Sequence, residues 1–401
     1  MHDNLISNFP DSRSFYFFPF GTYDTLNQII NQKNFDLNVA FTGVEDKMKL
    51  FVHEKTFFHC YFYDQEPMFP EMPRLPDFGF RERSYRKEIL IVANSEKSAF
   101  KDEFLKTEHY YHDWYYFFHG FAALDWYRDF QYYNPESFQN FDKVFICCNH
   151  LISNYRNYRL HLVANLIESD IVDKGLVSFF LKDSKGSWRD TVNDSTSLLD
   201  PRAKIKAYKM LGRLKKPLII DTDEPNGALS ADVSLELLTK ALWHVVTETI
   251  YFHPKLHLTE KSFKPIVAKR PFILVAAPGN LAYLKSYGFK TFDRWIDESY
   301  DQETDNYLRI EMITAELKKL CNLSRTELKQ MHQEMQEVLE FNYQHFFGEF
   351  KKIIVDELVD NFCAVLTKVN HGRIPNNHSK YHIRYDLSPE KIQEVKSRLI
   401  Q

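Results

Sequence analysis

The first 140 residues alternate short apolar, aromatic-rich runs with polar stretches. Four runs contain β-branched or aromatic residues and end in turn residues, and they predict strands over 14–20, 38–42, 57–63 and 88–93. Polar clusters follow two of these strands, from Asp64 to Pro67 and from Asn94 to Glu96. Open α/β sheets bind ligands beyond the carboxyl ends of their strands, so this pattern favours an α/β fold with a site at those ends.

The rest of the chain repeats this alternation and then becomes mostly helical. The pattern predicts strands over 143–148, 178–181, 217–221, 243–248 and 271–276, helices over 155–169, 259–269 and 281–287, a polar loop or insertion over 182–202, mostly helix over 306–368 and an amphipathic helix at the end of the tail. We therefore predict two α/β domains, residues 1–140 and 141–370, and a C-terminal tail, residues 371–401.

Composition excludes several classes of protein. Hydrophobic residues make up 44% of the chain and charged residues 26%, which is typical of globular proteins. The chain holds only 12 glycines and has neither G-x-G-x-x-G nor a Walker loop, which weakens ATPase, kinase and dehydrogenase interpretations. A net charge of −4 argues against a polyanion-binding molecule as a whole, although it leaves a local basic groove open.

The same composition predicts a location in the cytoplasm. No apolar run approaches the roughly 20 residues that span a bilayer, and the first residues do not resemble a signal peptide. The five cysteines are an odd number without metal-type spacing, which fits a reducing compartment.

The stretch from Thr247 to Lys264 is the most informative. Thr259 is a plausible helix N-cap, and Lys261 and Lys264 stand three residues apart on one face of the first turn. Such a turn offers a site for a diphosphate without glycines. Glu248 ends the preceding predicted strand, where its carboxylate could bind the hydroxyls of a ribose or a sugar. The alternative is a capped surface helix with solvated lysines.

The order of this stretch is strand, Glu, short loop, Thr-Glu-Lys, helix, and a strand opening with Pro. It resembles the donor-binding segment of the α1,3-fucosyltransferases, which are inverting enzymes with two Rossmann domains (GT-B), over about residues 243–276. The resemblance implies that Glu248 and Lys261, with Glu260 between the Thr and the Lys of the motif, belong to the site of a nucleotide-sugar donor.

Most of the chain also resembles glycosyltransferase-like proteins of phages and large viruses. The shared stretches are Tyr63 to Pro67, the Asn/Arg-rich segment after residue 147, Gly288 to Phe292 and Asp297 to Asp301. Together the two resemblances imply two Rossmann-like domains in a GT-B-like arrangement with a helical C-terminal region.

A second cluster, Asn149 to His161, follows the first predicted strand of the second domain. Arg156 or Arg159 at the start of a helix could clamp a phosphate through two hydrogen bonds, with Asn149 nearby at the strand end. Which arginine points inward stays open. The alternative is two solvated arginines on an amphipathic helix.

Sugar transfer with inversion also needs a general base to deprotonate the acceptor hydroxyl. Asp64 and Glu66, beyond a predicted strand end, are candidates, and Asp113 and Glu96 are further ones. The alternative for the Asp64 cluster is an ordinary turn, because Asp and Pro are common turn formers.

No metal cofactor is expected. Asp221-Thr222-Asp223 has the Asp-x-Asp spacing that could hold a divalent ion, but this pattern is common by chance, and a turn-like Pro-Asn-Gly follows it closely. A metal-dependent transferase or nuclease built on Asp221 and Asp223 remains an alternative.

The leading hypothesis is a glycosyltransferase that moves a sugar from a nucleotide sugar to a hydroxyl acceptor. A hydroxymethylated base of phage DNA is one candidate acceptor, and a surface glycan or protein is another. The chain has no predicted membrane span. The viral resemblance would place the protein in the cytoplasm of an infected host cell. An alternative from another class is a non-catalytic virion or host-interaction protein on a degenerate transferase fold.

Overall fold

The computed structural model describes residues 15–18, 58–63, 89–93, 111–114, 118–129, 140–183, 185–220, 235–252, 255–370 and 387–400. The chain divides into two compact units. Unit 1 comprises residues 1–120 and 351–401, and unit 2 comprises residues 121–350. The domain boundaries predicted at residues 140 and 370 stay a prediction.

Strands and helices alternate through both units. In chain order they are β1 (Phe15–Phe18), β2 (Phe58–Tyr63), β3 (Ile89–Ala93), β4 (Tyr111–Trp114), α1 (Phe118–Asp129), β5 (Lys143–Cys147), α2 (Tyr158–Glu168), β6 (Gly175–Val177), β7 (Lys182–Asp183), β8 (Gly186–Ser187), α3 (Trp188–Asn193), α4 (Pro201–Leu211), α5 (Leu235–Thr239), β9 (Ala241–Thr247), α6 (Glu260–Val267), β10 (Phe272–Val275), α7 (Asn280–Ser286), α8 (Asn306–Cys321), α9 (Arg325–Phe347), α10 (Glu349–Asn370) and α11 (Pro389–Ile400). No helix in the described ranges is long and apolar enough to cross a membrane.

Unit 1 contains a parallel sheet in the order β1-β2-β3-β4. Three of its four strands confirm predicted ones, and β4 arises in an aromatic stretch for which no strand is predicted. The strand predicted over 38–42 lies outside the described residues. The predicted tail helix forms as α11, where Lys396 pairs with Asp356 at 3.1 Å and with Asp360 at 2.8 Å, both on α10.

Unit 2 contains a second parallel sheet, in the order β10-β9-β5-β6. Every residue of β9 and β10 is buried, as expected of central strands in a parallel sheet. Gly175 begins β6 beside Phe145 of β5. A Cβ at Gly175 would lie 2.5 Å from the Phe145 ring, so only glycine lets these two strands pack so closely. The α/β fold class is confirmed at this level.

The loop predicted over 182–202 is wrong. A short antiparallel pair, β7 and β8, is followed by α3 and by the start of α4. Three of the Ser and Asp residues that indicate a loop act instead at helix N-termini. Ser187 and Asp190 form a capping box at α3, and Asp200 caps α4 ahead of Pro201.

Two short strands predicted in the same region are also wrong. Residues 178–181 and 217–220 contribute only an isolated antiparallel bridge between Phe179 and Leu218. The strand that joins the sheet, β6, ends just before residue 178. Short apolar runs of this length pack equally well as covering segments, and here they join the core of α2, α3 and α4.

At the amino ends of β9 and β10, unit 2 buries a cation against neutral groups. Arg270, 1% exposed, donates to the Thr239 carbonyl at 3.1 Å and lies 3.2 Å from His332 Nε2. Gln336 Nε2 lies 3.1 Å from the same ring nitrogen, which therefore accepts and belongs to a neutral imidazole. Burial, and then the Arg270 charge, lower the pKa of His332 to about 4. Burial likewise lowers the pKa of His244 to about 4.

These histidines predict an acid-sensitive fold. Between about pH 6.5 and pH 4 the unfolded chain binds protons that the folded chain excludes, so the free energy of unfolding falls as the pH falls through this window. Each histidine lowers the free energy of unfolding by about 3 kcal/mol as the pH falls through the full window. His332→Gln keeps an acceptor for Arg270 but binds no proton, and its free energy of unfolding is expected to change less with pH than that of the wild type. Denaturant titrations across the window measure both slopes, and equal slopes would contradict the assignment.

Candidate active site

The strand order of the unit 2 sheet reverses between β5 and β9. From β5 the chain moves outward to β6, then returns to the other side of β5 to form β9 and continues to β10. In doubly wound sheets, the carboxyl edge at such a reversal is where ligands bind. The segment after β5 and the segment from β9 to α6 meet at this edge, and they carry all of the predicted donor-binding residues.

The loop after β5 is pinned from within the protein. Asp183 Oδ2 accepts hydrogen bonds from the backbone N–H groups of Ile152 and Ser153, both at 3.0 Å. Burial alone would raise the pKa of Asp183, but these hydrogen bonds and that of Lys185 lower it. The Thr247 hydroxyl donates to the Cys148 carbonyl at 2.9 Å. Side chains of β7 and β9 therefore fix the position of this loop.

The two arginines of this segment differ in burial and in the groups that they contact. Arg159 is 4% exposed and donates to the carbonyls of Leu151, at 2.8 Å, and Thr247, at 2.9 Å. It joins the segments that leave β5 and β9. Arg156 lies in a 3-10 turn, half-buried, with its guanidinium 4.6 Å from the ring centroid of Tyr155. Arg159 thus points inward as a clamp between strand ends, whereas Arg156 stays partly exposed at the edge.

Asn149 is fully buried at the end of β5. Its backbone N–H donates to the Ser178 hydroxyl at 3.0 Å, and its side-chain amide donates to the Ser178 carbonyl at 3.2 Å. The same amide contacts Cys147 Sγ at 3.2 Å, and burial raises the pKa of that thiol to about 11. Asn149 therefore ties the end of β5 to the residue that follows β6.

Glu248, directly after β9, is completely buried. One carboxylate oxygen accepts from the Ser262 hydroxyl at 2.6 Å and the Thr259 N–H at 3.2 Å. The other accepts from the Thr259 hydroxyl at 2.7 Å and the Thr249 N–H at 3.2 Å. A helix N-terminus attracts an anion, and at α6 the protein supplies that anion itself. The carboxylate is engaged by the backbone and side chains around it, so the geometry supports a positioning role.

Thr259 is the N-cap of α6, as the sequence predicts, and its hydroxyl accepts from the Lys261 N–H at 3.3 Å. The Lys261 ammonium lies 2.6 Å from Glu260 Oε1, with 31% of its side chain exposed. Burial alone would raise the pKa of Glu260, but Lys261 and Lys264 outweigh this and lower it. Lys264 follows on the same helix and is half-buried. Two cations and one carboxylate therefore line the first turns of α6.

The side chains of the other predicted site residues are not among those that the structure describes. Asp64, Glu66, Asp221 and Asp223 lie outside the described residues. Asp113 lies in β4, paired with Val92 of β3, and its side chain is not among those described. Within the described ranges, no group of three or more His, Cys, Asp or Glu side chains is arranged to hold a metal ion.

Sequence reasoning missed the residues that hold the edge together. Asp183, Ser178 and Ser262 each fix one of the segments described above, yet the first falls in a stretch predicted as loop. Only Ser262 carried a local signal, because it follows the Thr259 cap by three residues and so shares its turn. The others act across distances in sequence that no local pattern reports.

No family model, curated protein or solved structure matches the chain. Function therefore has to be inferred from the chemistry of the site.

Glu248→Gln is expected to destabilise unit 2, because the amide nitrogen of Gln cannot accept a hydrogen bond and leaves buried donors unsatisfied. Hydrogen bonds to charged groups contribute about 1.5–3 kcal/mol, so the free energy of unfolding should fall by at least that amount. Glu260→Gln is the matched control, because its ion pair with Lys261 is partly exposed and worth at most about 1 kcal/mol. Denaturant unfolding compares the two, and an equal small loss in both would refute the anchoring role of Glu248.

Proposed function

We propose that the chain is a glycosyltransferase that binds a nucleotide-sugar donor at the carboxyl edge of the unit 2 sheet, between β5 and β9. One observation carries the proposal. At the point where the strand order reverses, two internally pinned segments present cationic side chains, Arg156 from one and Lys261 and Lys264 from the other. A preorganised cationic edge suits the diphosphate of such a donor.

Each cation has a distinct relation to the diphosphate. Lys261 lies in the first turn of α6 and Lys264 one turn further along the same helix, so both can add positive charge beside the diphosphate. Arg156 offers a planar guanidinium from the loop after β5. As the bond to the sugar breaks, charge accumulates on the leaving diphosphate, and fixed cations stabilise that charge more than they stabilise the intact donor.

Buried residues hold these cations in place and do not contact the donor. Glu248 and Thr259 fix the start of α6 against the end of β9, and Arg159 fixes the loop after β5. Holding charged groups before the ligand arrives removes the cost of organising them during the reaction. A general base is still needed, and Asp64, Glu66 and Asp113 remain the proposed candidates. The acceptor, a DNA base or a glycan, stays open.

Substitutions of Lys261 and of its ion-pair partner Glu260 are expected to affect donor binding differently. A phosphate at Lys261 would compete with the Glu260 carboxylate, which already lies 2.6 Å from the ammonium. Lys261→Ala should therefore weaken binding of a nucleotide diphosphate or its sugar, while Glu260→Gln should leave binding equal or tighter. A screen of these ligands by thermal shift detects both, because ligand at 100 times its dissociation constant adds about 2.7 kcal/mol of stability.

Lys318→Ala removes an exposed lysine of α8 and controls for the change of net charge. The wild type and this control should be stabilised by the same nucleotide. If no nucleotide stabilises the wild type, the transferase proposal fails and the non-catalytic binding protein becomes the better hypothesis. If Lys261→Ala binds as the wild type does, the donor site lies elsewhere.

We further propose that donor cleavage does not require a divalent ion, because side-chain cations at the edge stabilise the leaving diphosphate. The nucleotide sugar that stabilises the protein in the thermal-shift screen should then release its nucleoside diphosphate at the same rate with and without EDTA. Loss of that activity with EDTA, and its return with a divalent ion, would favour the alternative built on Asp221 and Asp223.

A further inference from the structure

Positive charge is concentrated in one stretch of unit 2. Residues 182–216 contain ten Lys and Arg against four Asp, a formal charge of +6, in a chain whose net charge is −4. The remainder of the chain is therefore strongly acidic. Such a local reversal of charge is a property of the surface when the basic side chains are exposed.

The four acidic residues of this stretch are engaged by backbone groups. Asp183 accepts from the loop after β5, Asp190 belongs to the capping box of α3, Asp194 accepts from the Thr196 N–H at 2.8 Å, and Asp200 caps α4. Of the four, Asp200 also pairs with Arg202 at 2.8 Å. These hydrogen bonds fix the four carboxylates in place, and the cations of the stretch still outnumber them by six.

Most of the basic side chains are left facing solvent. We define the basic face as Lys182, Lys185, Arg189, Lys209, Arg213 and Lys216, all of which are exposed. Among the ion pairs between described residues, none involves these six side chains, in contrast to Lys206, which pairs with Glu168 and Glu311.

Tertiary contacts bring the parts of the basic face together. The Trp188 ring lies 5.6 Å from the ring of Tyr208, and the Arg189 guanidinium lies 4.3 Å from the Trp188 ring centroid. α3 is therefore packed beside the part of α4 that carries Lys209. The bridge between Phe179 and Leu218 places the segment that carries Lys216 beside the strand that leads into Lys182.

We propose that the basic face binds the phosphodiester backbone of a nucleic acid. A group of exposed cations releases condensed counterions from a polyanion when it binds, which favours association without reading the sequence. Exposed Tyr208, at 41%, stands beside these cations and offers a ring to a base or sugar. The proposal does not depend on the transferase proposal.

An anionic membrane is the less suitable partner. A helix that lies in a bilayer surface buries its apolar side among the acyl chains. The apolar side of α4, with Ala203, Ala207 and Met210, is already packed in the core of unit 2 together with Trp188. The described side of α4 that stays outside the core carries charged side chains, with Ile205 and Tyr208 as its exposed large apolar residues.

The test measures binding of the full chain to a short fluorescent DNA duplex of mixed sequence from about 50 to about 200 mM salt. The wild type should bind with an affinity that falls steeply with salt. Lys209→Gln/Arg213→Gln should reduce the slope of log affinity against log salt by about 2, and lower the affinity at about 0.1 M salt by roughly tenfold or more.

Lys318→Gln/Lys329→Gln removes the same charge from exposed positions on α8 and α9 and should bind as the wild type does. Absence of binding by the wild type, or an equal loss in both double variants, would overturn the proposal. Binding to vesicles of phosphatidylserine and phosphatidylcholine, lost in the first variant while duplex binding is retained, would overturn it in favour of a membrane. None of these readouts involves the nucleotide sugar.

Discussion

The buried carboxylate of Glu248 is the interaction on which the candidate site depends. A carboxylate taken out of water is costly unless donors surround it, and this one receives hydrogen bonds from the backbone and hydroxyls at the start of α6. The same bonds fix where the helix begins relative to β9. The positions of Lys261 and Lys264 follow from that junction, because a helix that starts elsewhere would turn them to another direction.

Arg159 is a buried cation that also joins two segments of the candidate site. It ties the carbonyl of Thr247, at the end of β9, to that of Leu151 in the loop after β5. The buried anion thus joins the end of β9 to the start of α6, and the buried cation joins the end of β9 to the loop after β5. Removing either would leave polar groups without partners inside the protein.

Residues 182–216 combine helix caps with an excess of positive charge. Asp is favoured at caps because its carboxylate satisfies free N–H groups, and Asp190 and Asp200 stand where α3 and α4 begin. The ten Lys and Arg of the stretch outnumber its four Asp, so it is electropositive although the net charge of the whole chain is −4. The net charge of the chain is a poor guide to binding here, because a partner contacts one face of the protein and responds to the charge of that face.

Local signals determined what the sequence predicted well. The strands at 58–63, 89–93 and 272–275 and the Thr259 cap depend on residues within a few positions of each other, which a pattern reports directly. Only the tertiary structure decided that Arg159 and not Arg156 points inward, and that Glu248 faces a helix. Arg159 meets Thr247 across 88 residues of sequence. Its orientation depends on which strands are neighbours in the sheet, and that is a property of the folded chain.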